Sequence, residues 1–239
     1  MTETRTIPSL AAFIRQRQRE GLFPVISEIK VRSEKEGDLL GRRDPAELAR
    51  TMAACGAAGI SVVTEPTHFG GSLDLLRDVT AAVDLPVLQK DFVTSEEQIE
   101  ESASRGASAI LLIAAMLDDA TLLHLIEFAA SLDLETLAEA HTAEELSKIG
   151  ALPGSILGIN NRDITILEVD DGGVEKTEEL SRLYNDARPL VSESSIATLD
   201  DVRRAGKSGA DAVLVGTAIL KAPDPRELLT AMITVGWPL

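Results

Sequence analysis

Cysteine is all but missing from this 239-residue chain. Cys55 stands alone, which excludes an intramolecular disulfide and a cysteine-rich metal site. Histidine is scarce too: His68, His124 and His141 are scattered without metal-ligand spacing, so no metal is expected. Aromatic residues make up only 3% of the chain. The 44% hydrophobic content must therefore build its core from Val, Ile, Leu and Ala, the branched and small residues that fill barrel layers. No stretch approaches the ~20 apolar residues of a membrane span, and no apolar run of signal-peptide length follows a basic start. A cytoplasmic protein without a membrane partner is the expectation. Lysine is sparse, 7 residues beside 16 arginines, and the formal net charge is −16. That balance argues against unaided binding to nucleic acid or anionic membranes, which are held chiefly by clustered Lys and Arg. An anionic ligand would have to be met by a local cationic pocket.

What the chain does contain is a rhythm. Eight short apolar runs recur: PVISEIK, ISVVTE, PVLQKD, AILLIA, ETLAEA, ILGIN, PLVSE and AVLVG. Helix-like segments separate them, which is the pattern of a (β/α)8 TIM barrel, and the runs are continuous as in parallel strands buried on both faces. The length suits a single barrel of typically ~250 residues, so one domain spanning 1–239 is expected. Ser9 can cap an extra N-terminal helix over 9–20 that Gly21 ends, placed to cover the barrel bottom or flank its mouth. Later helices are announced by Asp44-Pro45, Ser95, Thr142, Thr198 and Asp224-Pro225. Two strand-to-helix loops are long, Val31 to Arg43 and Asn161 to about Lys176. Both leave the C-terminal face and read as lids. Asp170, Asp171, Gly172 and Gly173 read as a solvated turn.

Barrels of this kind gather their chemistry at the C-terminal strand ends. Residues two apart on a strand share a face, so Glu28 and Lys30 point the same way, and Leu137, Gly158 and Val191 predict the direction of Glu139, Asn160 and Glu193. Charged residues are almost never fully buried unless paired. Lys30 and Lys90 among Glu28, Glu139 and Glu193 meet that condition and would tune one another's ionisation. An internal ion-pair network closing the barrel is the plain alternative, but five ionisable groups and Asn160 converging from five strands favour a catalytic centre. His124 reads as a surface or packing residue, His141 as a helix-start residue, and His68 is ambiguous. Ser194 and Ser195 after the seventh run and Gly216 and Thr217 after the eighth occupy the usual phosphate-binding position of such barrels.

These segments in order, PVISEIKVRS, SVVTEPTHFGGSLDLL, PVLQKDFV, ASAILLIAAML, ETLAEAHT, LGINNRD, VSESSI and ADAVLVGTAIL, resemble the indole-3-glycerol phosphate synthase family in its short, archaeal-like form. The resemblance implies a carboxy-lyase of tryptophan biosynthesis. Its substrate would be 1-(2-carboxyphenylamino)-1-deoxyribulose 5-phosphate, converted to indole-3-glycerol phosphate with loss of CO₂ and water. It implies Lys90 as general acid, Glu139 as general base or proton shuttle, and Lys30 as partner of the anthranilate carboxylate. Glu28, Asn160 and Glu193 would orient the lysines and sugar hydroxyls, and Ser33, Glu65, Phe69 and Arg162 would bind substrate. It implies no cofactor, and other enzymes of the tryptophan pathway as candidate partners. Two positions depart from the family: Glu34 where Pro is usual, expected to loosen the first loop and weaken carboxylate binding, and Ser195 where Gly is usual. Competing readings are a phosphoribosyl isomerase of the same fold, disfavoured by lysines on strands one and three, a Schiff-base lysine enzyme, and a non-catalytic phosphate-binding barrel.

Overall fold

The structure is a computed structural model that describes residues 7–154, 156–162 and 172–239. Eight parallel strands close into a barrel: β1 (Val25–Ile29), β4 (Gly59–Val63), β5 (Val87–Lys90), β6 (Ala109–Ile113), β7 (Glu135–Ala140), β8 (Ile156–Asn160), β9 (Leu190–Glu193) and β10 (Ala212–Val215), with β1 pairing to both β4 and β10. A two-stranded hairpin, β2 (Arg32–Ser33) and β3 (Gly37–Asp38), lies within the long first loop. The sequence pattern gives no hint of this hairpin beyond Gly37, whose φ of +70° supplies the turn. Helices α2 (Pro45–Ala54), α3 (Leu73–Ala82), α4 (Glu96–Ser104), α5 (Asp119–Ser131), α6 (Ala143–Gly150), α7 (Glu175–Leu180), α8 (Leu199–Lys207), α9 (Thr217–Lys221) and α10 (Pro225–Ile233) separate or follow the strands. Asp44, Ser95, Thr142, Thr198 and Asp224 are all N-caps, as expected. Most of the long loop after β8, with Asp170 and Asp171, lies outside the described residues.

Strand alternation divides the apolar residues into two cores. One set, including Ile60, Val62, Leu112, Leu157 and Val213, faces the helices. The other, Ile26, Leu88, Ala109, Leu111, Ile113, Leu137, Ile156, Val191, Ala212 and Leu214, fills the barrel interior. Leu10 and Ile14 from the extra helix α1 (Leu10–Arg19) belong to this inner set and are fully buried. Each contributes about 1.5–3 kcal/mol by leaving water. Helix α1 thus plugs the N-terminal end of the barrel and does not flank the mouth. Its start is pinned by Glu135, at the beginning of β7, which accepts hydrogen bonds from Ser9 Oγ at 2.7 Å and from the N–H groups of Leu10 and Ala11. Its last turns are pinned by Asp211, which accepts from Arg15 and from Gln18 Nε2 at 2.9 Å. With one end plugged, the strand periodicity leaves Lys30, Lys90, Glu139, Asn160 and Glu193 to close the other.

Candidate active site

The inner parity that places Ile26, Leu88, Leu137, Ile156 and Val191 inside continues upward to Glu28, Lys30, Lys90, Glu139, Asn160 and Glu193. These residues stand at or beneath the floor of a cavity of about 860 Å³ at the C-terminal mouth. Lys90 Nζ lies 3.7 Å from Glu139 Oε2 and 3.8 Å from Glu193 Oε2. Lys30 Nζ lies 3.7 Å from Glu28 Oε1 and 5.5 Å from the centre of the Phe69 ring. Lys90 is the more accessible lysine, its side chain 20% exposed against 5% for Lys30. Glu193 is fully enclosed and sits behind the cavity wall, where it reaches Lys90 but not the open space. Burial and the neighbouring Glu139 push the Glu193 pKa up to about 8, with Lys90 pulling the other way. The shift favours a proton within the Glu193–Glu139 pair, so that one ammonium need not compensate two full negative charges at once.

Two glycines make this crowding possible. A Cβ at Gly158 would stand 2.3 Å from Glu193 Oε1, and one at Gly216 would stand 2.4 Å from Glu28 Oε1. Gly216 was read from sequence as a place for close approach of phosphate. The structure gives its missing side chain a further use, room for Glu28. Of the paired asparagines after β8, Asn160 faces the cavity and its Oδ1 accepts the Arg162 N–H at 3.0 Å. Asn161 faces outward, donating to Ser192 Oγ, Glu193 O and Ser194 O and accepting from Thr177 on α7. It fixes the end of β9 and was not singled out from sequence.

Around the mouth, Glu65 folds back on its own loop, accepting the N–H groups of Thr67, His68 and Phe69 at 2.8, 2.7 and 3.0 Å. Burial alone would raise its pKa, but the backbone donors of His68, Phe69 and Thr67 outweigh it and hold the group below the usual carboxylate range. Glu65 lines the cavity, yet its oxygens serve the loop that presents Phe69. Ser33, expected at the mouth, does not line the cavity: it is buried and its Oγ accepts the Glu36 N–H at 3.2 Å, closing the hairpin turn. Glu34 Oε1 lies 3.1 Å from His68 Nδ1. The departure expected to loosen the first loop instead ties it to the second, and gives His68 a partner.

At the ends of β9 and β10, Ser194, Ser195, Gly216 and Thr217 line the cavity together. Ser194 and Ser195 have φ of +65° and +56°, a left-handed backbone that favours glycine. Ser195 keeps that geometry while its Oγ accepts from Arg162 Nε at 3.3 Å. Sequence reading missed Lys35 and Lys221, which also line the mouth and supply local positive charge in an acidic protein; Lys221 pairs with Glu36. It also missed Phe92, which adds an apolar wall. His124 pairs with Glu96 at the surface, as a surface residue should. His141 precedes the α6 cap but is buried against Glu139, with Nε2 to Oε1 at 3.3 Å. The i, i+2 spacing from Glu139 was the available signal. Among the described residues, no cluster of His, Cys, Asp or Glu has the arrangement of a metal site.

Comparison with known proteins agrees with this arrangement. The sequence model of the indole-3-glycerol phosphate synthase family matches residues 2–232. A relative of that name from Thermococcus kodakarensis is 46% identical over 211 residues, 88% of this chain and 92% of its own length. One from Pyrococcus furiosus is 47% identical over 210 residues, covering 88% and 91%. Another, from Nocardioides sp., is 46% identical over 211 residues, covering 88% and 80%. A solved structure from Aquifex aeolicus VF5, only 15% identical, superposes with a TM-score of 0.66 over 94% of this chain and 97% of that one, a likeness of fold.

Proposed function

The chain belongs to the indole-3-glycerol phosphate synthase family, and from that premise we propose how its cavity performs the family reaction. The enzyme is a carboxy-lyase that converts 1-(2-carboxyphenylamino)-1-deoxyribulose 5-phosphate to indole-3-glycerol phosphate with loss of CO₂ and water. The observation that carries the assignment of roles is Lys90, partly exposed on the cavity floor with a carboxylate oxygen on either side at 3.7 and 3.8 Å. Ring closure puts negative charge on the ribulose carbonyl oxygen as the aromatic carbon attacks. A positioned ammonium in a site shielded from water stabilises that charge and delivers the proton. Glu139, whose two oxygens have no hydrogen-bond partner among the described residues, is the acid/base of the dehydration that follows.

Lys30, beside the Phe69 ring, takes the anthranilate carboxylate, with Phe69 and Phe92 as the walls for the aromatic ring. Loss of CO₂ restores aromaticity once the ring has closed. Glu28 orients Lys30, Glu193 holds Lys90 from behind, and Asn160 with Arg162 meets the sugar hydroxyls. The phosphate rests against Ser194, Ser195, Gly216 and Thr217, where main-chain N–H groups bind a dianion without a counter-charge. We also propose a cytoplasmic location, because a phosphorylated, carboxylated substrate does not cross a bilayer unaided; no helix among the described residues is long and apolar enough to span one. Fluorescence detection of indole-3-glycerol phosphate formed by the purified protein tests the reading. Steady product formation is expected, and no product from authentic substrate across the neutral pH range would overturn it.

A further inference from the structure

Behind Glu139 lies a buried imidazole that the roles above leave unused. His141 follows Glu139 by two residues, just past the end of β7, and its side chain is 7% exposed. Its Nε2 stands 3.3 Å from Glu139 Oε1. On its other side, Nδ1 stands 3.3 Å from Glu145 Oε2, and that same oxygen accepts the His141 main-chain N–H at 2.7 Å. Glu145 is itself set by the start of α6, its N–H donating to the capping Thr142 Oγ1 at 3.2 Å. Local sequence thus builds a row of carboxylate, imidazole and carboxylate. The row runs from Glu145, 20% exposed, to Glu139, 1% exposed.

The chemistry of the row follows from what each atom can do. An ionised carboxylate only accepts hydrogen bonds, so the ring nitrogen facing Glu145 carries hydrogen. The other nitrogen then faces Glu139 Oε1 at 3.3 Å, and both atoms are buried with no hydrogen-bond partner among the described residues, so the two meet as a close charge contact. Lone pair against lone pair in a buried site is unfavourable. The contact is attractive only with a proton between the two, either as imidazolium beside carboxylate or as imidazole beside carboxylic acid. We propose that His141, held by Glu145, is a positioning residue that shares a proton with Glu139 and so keeps it supplied through the dehydration; this rests on the reading of Glu139 as acid/base. In that step the pair takes the proton lost by the ring-closed intermediate and gives one to the departing hydroxyl. The C–O bond breaks, water leaves, and the pair ends with the proton count it began with. The charged groups facing the ring are Glu139 on β7 and Glu145 on α6. Lys90 on β5 and Glu193 on β9 act on it through Glu139.

Two substitutions separate a shared proton from a plain hydrogen bond. His141→Asn keeps an amide that can donate to Glu139 but cannot gain or lose a proton, and His141→Leu removes both abilities. With kcat and KM measured against pH by product fluorescence, both variants should lose kcat on the order of tenfold or more, less than loss of the base itself. KM should stay within about threefold of wild type. The limb of the kcat profile that reports the pair should move in both variants, and in Glu145→Gln to a smaller extent. A wild-type kcat and profile in His141→Asn would overturn proton sharing, and a lowered kcat with an unmoved profile would reduce His141 to a packing role and overturn it equally. Should His141→Leu fail to fold, His141→Asn decides by the same criterion. Wild-type protein that makes no product would sink the reading of Glu139 and this proposal with it. A dead Glu139→Gln beside unaffected His141 variants would sink this proposal alone.

Discussion

Strand β7 carries two inward-facing glutamates four residues apart, on either side of Leu137, and their fates differ completely. Glu135, at the bottom, accepts three hydrogen bonds from the start of α1. Glu139, at the top, has no backbone or amide donor, only Lys90 at 3.7 Å, His141 at 3.3 Å and the carboxyl of Glu193 beside it. The same contrast runs around the barrel. Asp211 below is saturated by Arg15, Gln18 and the Leu190 N–H, while Glu193 above is fully buried with no backbone or amide donor, only Lys90 at 3.8 Å and the neighbouring Glu139 carboxyl. Buried carboxylates without donors are costly to keep. One end of the barrel therefore has the chemistry of a stabilising plug and the other that of a site which keeps its groups reactive. Substitutions at the two ends should separate stability from turnover.

The largest effect is expected from Lys90→Met. Loss of a general acid costs about 10²–10⁴ in kcat. Removing the ammonium also leaves the buried Glu139 and Glu193 without their compensating charge, so the melting temperature should fall as well, and the diagnostic is a kcat loss that persists at temperatures where the variant stays folded. Measured turnover within tenfold of wild type would remove Lys90 from the acid role. At the opposite end, Glu135→Ala unpins three donors of α1 and should destabilise by about 1–3 kcal/mol in urea titration. Its kcat should match wild type at temperatures where the variant stays folded. A kcat loss as large as that of Lys90→Met would show that the plug and the site are not separable.

How much of this division could be read from the chain depended on the range of each interaction. Strand alternation is a local period of two, so Glu28, Lys30, Lys90, Glu139, Asn160 and Glu193 were legible as a convergent set. The caps and α1 were legible for the same reason, each signal lying within four residues. What escaped notice involved partners far apart in sequence. Examples are Glu34 with His68, Ser9 with Glu135, and the space that Gly158 and Gly216 leave for Glu193 and Glu28. Glu65, a substrate-binding residue by resemblance, lines the cavity, but the use of its oxygens was not legible although its partners are its immediate neighbours: the loop itself takes both. Ser33 enters as a substrate-binding residue by resemblance alone, and the hairpin that encloses it leaves no periodic trace in the sequence.

A subtler separation concerns pH. Glu193 has a native pKa raised to about 8 against an ordinary value of 4.5, so the folded state binds more protons than the unfolded state between those limits. Stability from this group is complete below the unfolded value and is lost as pH rises through the native one. Glu193→Gln cannot ionise and should escape that loss. The melting temperature of wild type should therefore fall relative to the variant on going from acid pH through pH 8. Parallel curves would mean that Glu193 is already ionised in the native state, and that Lys90 compensates both carboxylates.

The smallest expected effect comes from making one change at both ends of the barrel. Ser195 at the mouth and Asp133 just before β7 at the plugged end are both non-glycine residues with positive φ, +56° and +59°. A left-handed backbone costs an L-residue about 1–2 kcal/mol, and less for Asp, whose short polar side chain tolerates it. Glycine removes that strain but returns about 0.5–1 kcal/mol of unfolded-chain entropy. Ser195→Gly and Asp133→Gly should then stabilise by about 0.5 kcal/mol or less, the former slightly more. The two should part in kinetics. Ser195→Gly also releases Arg162, which now donates to the Ser195 hydroxyl at 3.3 Å, and so should change KM by about twofold to threefold with kcat nearly constant, the pattern of altered ground-state binding. Asp133→Gly should leave both constants alone. If KM is unmoved in Ser195→Gly as well, the serine hydroxyl plays no part in holding Arg162 for substrate, and the left-handed turn alone, which glycine preserves, is what the phosphate end of the cavity requires.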